Sequence, residues 1–165
     1  MKQPPRQPVL VSACLLGLDT RYNGVCKKNM NVLNVLAPET WTIIPVCPEQ
    51  LAGLPTPRPE SGFAEGDGQA VLAGTGSVTN LDGRKITDYF IKGAEQTLQI
   101  ARLNNCKLAI LKERSPSCGV HQIYRNRKTT TGQGVTTAML SNNGITVFNE
   151  DELDRFVNNS NRSHQ

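Results

Sequence analysis

Four short apolar runs recur along the chain, each flanked within a few residues by proline, glycine or asparagine. They cover residues 9–13, 41–46, 108–112 and 145–148. Their length and their content of valine, isoleucine and leucine are typical of buried strands, because a helix with a buried face usually needs a longer segment. We therefore predict four strands in the interior of a sheet.

Helical patterns fill most of the chain between these runs. Apolar residues three or four positions apart predict an amphipathic helix over residues 88–104. Asn29 is suited to cap a helix over residues 29–36, and Gly134 precedes a helix that ends before Gly144. Asn149 is placed to cap a terminal helix. Strands that alternate with helices predict an α/β fold with a mostly parallel sheet covered on both faces.

Residues 53–82 interrupt this alternation because they are rich in glycine and proline. Within them, AVLAG (70–74) and SVTNL (77–81) are separated by a glycine turn and predict a small β-hairpin after a long loop. The chain contains no internal repeat or linker, so we predict one domain over residues 1–157. Residues 158–165 are polar and predict a disordered tail.

Composition excludes several classes of protein. The chain has 165 residues, 38% of them hydrophobic and 19% charged, which is typical of one globular domain. No apolar run approaches the roughly 20 residues that span a bilayer, and the first residues, MKQPPRQP, lack the apolar segment of a secretory signal. We therefore expect a cytoplasmic protein without a membrane partner.

The charge pattern bears on possible partners. The net charge is +4, but the lysines and arginines are dispersed and aromatic residues make up 5% of the chain. A nucleic-acid-binding protein usually shows a basic stripe or a recognisable stacking motif. We therefore expect a small-molecule partner and no stable nucleic-acid partner, with the protein a monomer or a small homo-oligomer.

Three of the five cysteines share a position relative to the predicted strands. Cys14 and Cys47 each directly follow a strand, and Cys118 lies in a turn a few residues after the next strand. The carboxyl ends of parallel strands meet at one edge of a sheet, where ligands bind. Three thiolates would leave a fourth coordination position open, which indicates a metal site with a chemical role. Cys26 and Cys106 lack this placement and are interpreted as structural.

The identity of the metal stays open on these residues alone. Structural zinc sites usually contain a pair of cysteines two to four residues apart, and this chain has no such pair. Of its two histidines, His164 lies in the predicted tail, whereas His121 follows Cys118 closely enough to be a possible fourth ligand. A four-iron cluster held by three cysteines fits the spacing at least as well as zinc.

Two polar residues accompany the cysteines and are candidates for catalysis. Glu49 lies two residues after Cys47, and Ser115 lies three residues before Cys118, so both should face the same pocket. A carboxylate beside a metal centre can act as a general base on water, and a hydroxyl can orient a substrate. Lys112 could neutralise Glu49 or an anionic intermediate.

Neighbouring motifs have simpler interpretations. Ser117 is interpreted as a turn cap, and Asn23-Gly24 in RYNG predicts a type I′ or related turn, beside which Arg21 could pair with a carboxylate. The TGQG segment, residues 131–134, presents N–H groups at a helix start, where an anion or a polar ring substituent could bind.

Five motifs in order carry a resemblance to a known family. They are SACLLG, RYNG, PVCPEQLAGLPTPR, KERSPSCG and TGQGVTTAML, and together they extend over nearly the whole chain. The chain resembles the thiouracil desulfurase (TudS) family, also described as domain of unknown function 523. Asn23 departs from the aspartate expected in the RYNG motif.

The resemblance implies a fold, a cofactor and a reaction. It implies a Rossmann-like three-layer α/β sandwich that binds one 4Fe-4S cluster through Cys14, Cys47 and Cys118, with the fourth iron free of protein ligands. It also implies hydrolytic, non-redox release of hydrogen sulfide from 2-thiouracil or a related thiolated nucleobase, the sulfur binding to the open iron. Glu49 would act as the base, and Ser115 would hold or protonate the ring.

Three other functions remain alternatives at this point. A sulfur or cluster carrier would transfer its cluster to another protein and release no sulfide. A zinc-dependent hydrolase acting on a nucleobase would contain zinc and show no visible absorbance. A factor that adds sulfur to RNA or removes it would bind tRNA with a marked salt dependence.

Overall fold

The computed structural model describes residues 5–162. The strands are β1 (Gln7–Ser12), β2 (Trp41–Val46), β3 (Ser61–Glu65), β4 (Ser77–Asn80), β5 (Leu108–Leu111), β6 (Gln122–Arg125), β7 (Lys128–Thr131) and β8 (Thr146–Asn149). The helices are α1 (Met30–Val35), α2 (Pro48–Leu51), α3 (Gly68–Leu72), α4 (Thr87–Leu103), α5 (Val135–Asn142) and α6 (Leu153–Arg162). A short 3-10 helix, Ala13–Leu16, directly follows β1.

The four strands predicted from apolar runs form one parallel sheet in the order β2-β1-β5-β8. The interior strand β1 pairs on both sides, with its Val9 opposite Ile43 of β2 and Leu108 of β5. The chain therefore winds outward in both directions from β1, and the carboxyl ends of β1 and β5 form the point where ligands bind in such sheets.

Helices cover both faces of this sheet. Val9 and Val11 pack on one face in a cluster with Val32 of α1 and Phe156 of α6. The intervening Leu10 points to the other face, in the cluster that contains side chains of α4 and α5. The α/β three-layer arrangement predicted from the sequence is confirmed. None of the helices in the described part of the chain has the length and apolar character needed to cross a bilayer.

A second sheet has the order β4-β3-β6-β7 and differs from the hairpin predicted from the sequence. The predicted hairpin strand AVLAG is wrong, because Gly68–Leu72 forms α3 and the Asp67 side chain caps it by accepting a 3.1 Å hydrogen bond from the Ala70 N–H. The true antiparallel partner of β4 is β3. A short apolar run does not distinguish a strand from one helical turn, and the aspartate cap decides between them.

The β6–β7 hairpin was not predicted. Its strands are mostly polar, and of their side chains that of Ile123 is fully buried. Asn126 and Arg127 at its tip both have positive φ angles, 50° and 63°, as a type I′ turn requires. Without alternating apolar residues or an Asn-Gly pair, the segment gave no strand signal.

Helix starts were predicted with mixed success. Asn29 caps α1 by accepting from the Val32 N–H at 3.0 Å, and Gly134 is the N-cap residue of α5, as predicted. Asn149 does not cap α6: it ends β8, and its Oδ1 accepts from the Asp151 N–H at 2.8 Å. The predicted disordered tail begins too early, because α6 continues to Arg162. Residues 163–165, including His164, lie outside the described residues.

Candidate active site

A cavity of about 330 Å³ lies beyond the carboxyl ends of β1, β2 and β5. All five residues selected from the sequence line it, namely Cys14, Cys47, Glu49, Ser115 and Cys118. The parallel sheet explains this convergence, because the three strands end at the same edge and each directs its following loop into the same space. Residues more than a hundred positions apart in sequence therefore share one pocket.

Each cysteine is presented by a different local structure. Cys14 lies in the 3-10 helix after β1, where its carbonyl accepts from the Lys27 N–H at 2.9 Å. Cys47 is the N-cap residue of α2, and Pro48 at the first helical position fixes the start of that helix. The Cys47 thiol lies 3.6 Å from the Thr20 carbonyl oxygen, to which it donates.

The third cysteine lies in a tight turn organised by Ser115. The Ser115 hydroxyl oxygen accepts hydrogen bonds from the Ser117 N–H at 3.2 Å and the Cys118 N–H at 3.1 Å. The Ser115 carbonyl accepts from the Gly119 N–H at 2.8 Å. Because the side chain and the main chain of one serine satisfy three N–H groups, the turn has a defined shape before any ligand binds.

The first residues of α5 also form hydrogen bonds to the turn that carries Cys118. The N–H groups of Val135 and Thr136 donate to the carbonyls of Pro116 and Ser117, each at 2.9 Å. A Cβ on Gly134 would lie 2.4 Å from the Ser117 carbonyl oxygen, so only glycine allows this approach. The predicted anion site at TGQG is therefore wrong, because carbonyl groups of the cysteine-bearing turn occupy these helix N–H groups.

The three thiols form a donor set suited to a cluster. Burial raises the pKa of Cys14 to about 11, and burial raises the pKa of Cys118 well above its ordinary value. Thiols with such pKa values are poor nucleophiles on their own. The Cys118 thiol interacts electrostatically with Cys14 and Cys47, and all three residues line the same cavity.

Across residues 5–162, no three His, Cys, Asp or Glu side chains are arranged to share a single metal ion. In an iron–sulfur cluster the thiolates bind different iron atoms, so three separated thiols around one pocket fit that group.

Glu49 has two partners that the sequence analysis did not assign. Arg58 donates from Nε to its Oε2 at 2.6 Å, and Ser117 donates from its hydroxyl to Oε1 at 3.0 Å. The side chains of Arg58 and Glu49 are 4% and 12% exposed. Lys112 does not neutralise Glu49, because its Nζ lies 2.6 Å from Oε1 of Glu150, although Lys112 lines the cavity.

Glu113, another buried carboxylate, was missed. Its Oε1 accepts N–H groups of Val120 and Gln122 at 2.7 and 3.0 Å, and its Oε2 accepts from the Asn149 amide. Burial alone would raise the pKa of Glu113, but hydrogen bonds from the backbone and Asn149 outweigh burial and lower that pKa below its ordinary value of 4.5. Glu113, at the start of the loop that carries Cys118, thus forms hydrogen bonds to residues at the end of that loop.

The remaining histidine and cysteine candidates lie apart from the cavity. His121 is not positioned as a fourth ligand, since its Nε2 lies 2.8 Å from Oε1 of Glu152 and its side chain is 56% exposed. Cys106 is packed in the core, and Cys26 is half-buried in a loop. Neither of these cysteines lines the cavity.

The RYNG loop forms one wall of the cavity. The Arg21 guanidinium lies 5.5 Å from the centre of the Tyr22 ring, and both residues line the cavity. The turn is closed by the Gly24 N–H, which donates to the Arg21 carbonyl at 2.8 Å, with a positive φ of 74° at Gly24. A turn is present here, as the prediction of a type I′ or related turn required, but it is not type I′, because Asn23 is not among the residues with positive φ.

Comparison with known proteins agrees with this geometry. The sequence matches the 2-thiouracil desulfurase family over residues 9–152. The uncharacterized protein YbbK of Bacillus subtilis (strain 168) is 38% identical over 149 residues, which is 88% of this chain and 97% of YbbK. A solved structure of the 4Fe-4S-dependent thiouracil desulfidase TudS superposes with a TM-score of 0.79 at 38% identity, covering 91% of this chain and 95% of that one. The cavity with its three cysteines is therefore part of a fold shared along almost the whole chain, and the chain belongs to the 2-thiouracil desulfurase family.

Proposed function

We propose that the protein is a 4Fe-4S-dependent desulfurase that hydrolyses 2-thiouracil, or a related thiolated nucleobase, to uracil and hydrogen sulfide. The observation that carries the proposal is the convergence of Cys14, Cys47 and Cys118 on one cavity that also contains Glu49. The chain is 38% identical to a thiouracil desulfidase that depends on such a cluster. A cavity of about 330 Å³ is within the range of small-molecule sites.

In this proposal the three cysteines are the protein ligands of the cluster. When bound, the cluster supplies an iron without a protein ligand, a Lewis acid that can bind the substrate sulfur and polarise the carbon–sulfur bond. The chain supplies part of the wall of the site through Arg21 and Tyr22, which line the cavity together with the Cys118 turn.

Glu49 is proposed as the group that accepts a proton from the attacking water. Each carboxylate oxygen has two lone-pair positions, and each accepts one hydrogen bond here, from Arg58 and from Ser117. Both oxygens therefore keep capacity for a water molecule while the carboxylate plane stays fixed. Such fixed orientation is what a general base requires.

Ser115 is proposed to donate a hydrogen bond to the substrate ring. Its oxygen already accepts two N–H groups of its own turn, which uses the acceptor capacity of a hydroxyl. Its own proton is then directed away from these donors and toward a partner in the cavity that the serine lines. A ring nitrogen or oxygen of a pyrimidine is a suitable acceptor.

The overall reaction balances without an electron donor. Water supplies the oxygen that replaces sulfur on the ring carbon, and the sulfur leaves with two protons as hydrogen sulfide. We propose further that the protein works in the cytoplasm as a monomer or small homo-oligomer, without a stable nucleic-acid or membrane partner. The five cysteines are free, as expected for a reducing compartment.

The deciding experiment is anaerobic purification and reconstitution, followed by measurement of iron, acid-labile sulfide and sulfide released from 2-thiouracil. We expect about four iron atoms and four sulfides per chain, in line with a 4Fe-4S cluster, together with turnover. Cys118→Ala should lose the cluster and activity together, whereas Glu49→Ala should keep the cluster and lose activity. A fully loaded protein that releases no sulfide from any thiolated base would exclude the proposed reaction.

A further inference from the structure

We propose that Arg58 is a positioning residue that fixes the orientation of the Glu49 carboxylate for proton transfer. The inference rests on the proposed function, because it assigns Arg58 a role through the proposed base. Arg58 itself need not touch the substrate. Its contacts, its burial and the lack of another cation on Glu49 support this role.

Each nitrogen of the Arg58 guanidinium donates a hydrogen bond to another group of the protein. Its Nε donates to Oε2 of Glu49 at 2.6 Å, and its Nη2 donates to the Thr20 carbonyl at 3.0 Å. Its Nη1 donates to Oγ1 of Thr56 at 3.0 Å and to the Pro55 carbonyl at 3.2 Å. With its side chain 4% exposed, the guanidinium has one defined position.

These contacts connect three chain segments around the cavity. The Thr20 carbonyl oxygen that accepts from Arg58 also lies 3.6 Å from the Cys47 sulfur. The Arg58 N–H donates to the Tyr22 carbonyl at 2.8 Å. Rotation of the Glu49 carboxylate would therefore break its hydrogen bond to Arg58, a residue that the RYNG loop holds through the Tyr22 carbonyl.

No other cation in the described part of the chain pairs with Glu49. Lys112 pairs with Glu150, and Arg21 lies against the Tyr22 ring, although both line the same cavity. On the other side of the carboxylate, the Ser117 hydroxyl is a neutral donor. Arg58 is thus the charged partner that holds Glu49 in place.

The geometry of the contacts distinguishes arginine from lysine. A planar guanidinium can reach acceptors in three directions at once, whereas an ammonium group on a flexible stem cannot span them. Arg58→Lys keeps the positive charge but should lose the orientation of Glu49. A role that needs charge alone would tolerate this substitution.

The test compares Arg58→Lys and Arg58→Gln with the wild-type protein after anaerobic reconstitution. We expect the same iron content, a KM changed little, and a kcat lowered about 100-fold, as expected for a small misplacement of a catalytic group. Guanidinium ion at millimolar concentration should restore part of the kcat of Arg58→Gln. Arg102→Gln is the matched control, because Arg102 is exposed, contacts Asn143 and does not line the cavity.

A readout independent of turnover separates this inference from the proposed function. Thermal unfolding of the loaded Arg58→Gln, Glu49→Gln and doubly substituted proteins should show that the two substitutions are not additive, since each single variant leaves its partner buried and unpaired. This result would support the pairing even if 2-thiouracil were not the substrate. Additive unfolding temperatures, wild-type kcat in Arg58→Lys, or loss of iron in both Arg58 variants would each overturn the inference.

Discussion

Ser117 and Glu49 are separated by 68 positions in the sequence, yet the Ser117 hydroxyl donates a 3.0 Å hydrogen bond to Oε1 of Glu49. Two residues earlier, Ser115 has a different contact pattern, because its oxygen accepts N–H groups of the turn that carries Cys118. The two serines of one SPSC turn therefore serve different partners. One contacts the proposed base, and the other shapes the cysteine-bearing turn.

This division predicts distinct outcomes for two alanine substitutions. Ser117→Ala should keep the cluster and lower kcat about 10-fold, because Glu49 loses one of its two orienting hydrogen bonds while the turn keeps its cap. Ser115→Ala should lower kcat and also lower the free energy of unfolding by about 1 kcal/mol, because two N–H groups lose their acceptor. Measurement of iron content, kcat and denaturant unfolding for both variants tests these expected differences. Equal effects of the two substitutions on unfolding would contradict the assignment.

Much of the sheet and of the cavity followed from short-range signals. The runs at residues 9–13, 41–46 and 108–112 identify strands because burial on both faces requires continuous apolar residues. Once parallel pairing is assumed, the loops that follow the strands must lie at the same edge, and this placed Cys14, Cys47 and Cys118 together. The convergence of the cysteines was thus predictable without knowing any side-chain contact.

The partners of the charged groups were not predictable in the same way. Arg58 contacts Glu49 because the segment after α2 folds back on the RYNG loop, and no periodicity in the sequence encodes that path. Glu113 lies in the polar loop after β5, yet it is buried because the segment that leads into β6 places N–H groups of Val120 and Gln122 on its carboxylate. Such contacts depend on tertiary packing of polar loops, where hydrophobic patterns carry no information.

The cysteine assignment makes a prediction with an internal control. Cys14→Ala and Cys47→Ala should each lower iron content strongly, because a missing thiolate exposes an iron of the cluster to solvent and loss. Cys26→Ala should leave iron content and sulfide release unchanged, since Cys26 lies in a loop outside the cavity. Iron, acid-labile sulfide and the visible absorption spectrum provide the measurement. Loss of iron in Cys26→Ala, or full retention in Cys14→Ala, would require a different ligand set.

Gly134 provides a test of how the Cys118 turn is held. Its φ and ψ of −67° and 161° suit any residue, so Gly134→Ala introduces no backbone strain. The added Cβ would instead lie 2.4 Å from the Ser117 carbonyl oxygen and 2.7 Å from the Cys118 nitrogen. We expect the turn to shift, iron content to fall, and the free energy of unfolding to fall by about 1 to 3 kcal/mol.

Gly62→Ala is the control for this substitution, because its Cβ would meet the Tyr124 carbonyl oxygen at 3.3 Å, a much milder contact. It should retain iron and most of its stability. Both variants are compared by iron content and by thermal unfolding. If Gly134→Ala bound iron as well as Gly62→Ala does, close packing of α5 against the turn would not be needed for the cluster site.

Glu113 makes the stability of the protein sensitive to acid. Because hydrogen bonds lower its pKa in the folded protein, the folded state binds a proton at Glu113 less readily than the unfolded chain does. Its contribution to stability is therefore fully present above the ordinary value of 4.5 and is lost as pH falls through the lower folded-state pKa. Glu152 acts in the same direction, since hydrogen bonds from His121 and the Asn149 N–H outweigh burial and lower its pKa.

The acid sensitivity due to Glu113 is tested by denaturant unfolding of the wild-type protein and of Glu113→Gln between pH 7 and pH 3. The glutamine keeps the shape of the side chain but replaces one acceptor oxygen with a donor, so buried N–H groups of the Cys118 loop lose a partner. At pH 7 we expect the variant to be less stable by about 2 kcal/mol. The difference should narrow below pH 4.5, because protonation then removes the same carboxylate charge from the wild-type protein. A difference that stays constant over this range would show that the ionised form of Glu113 does not hold the loop.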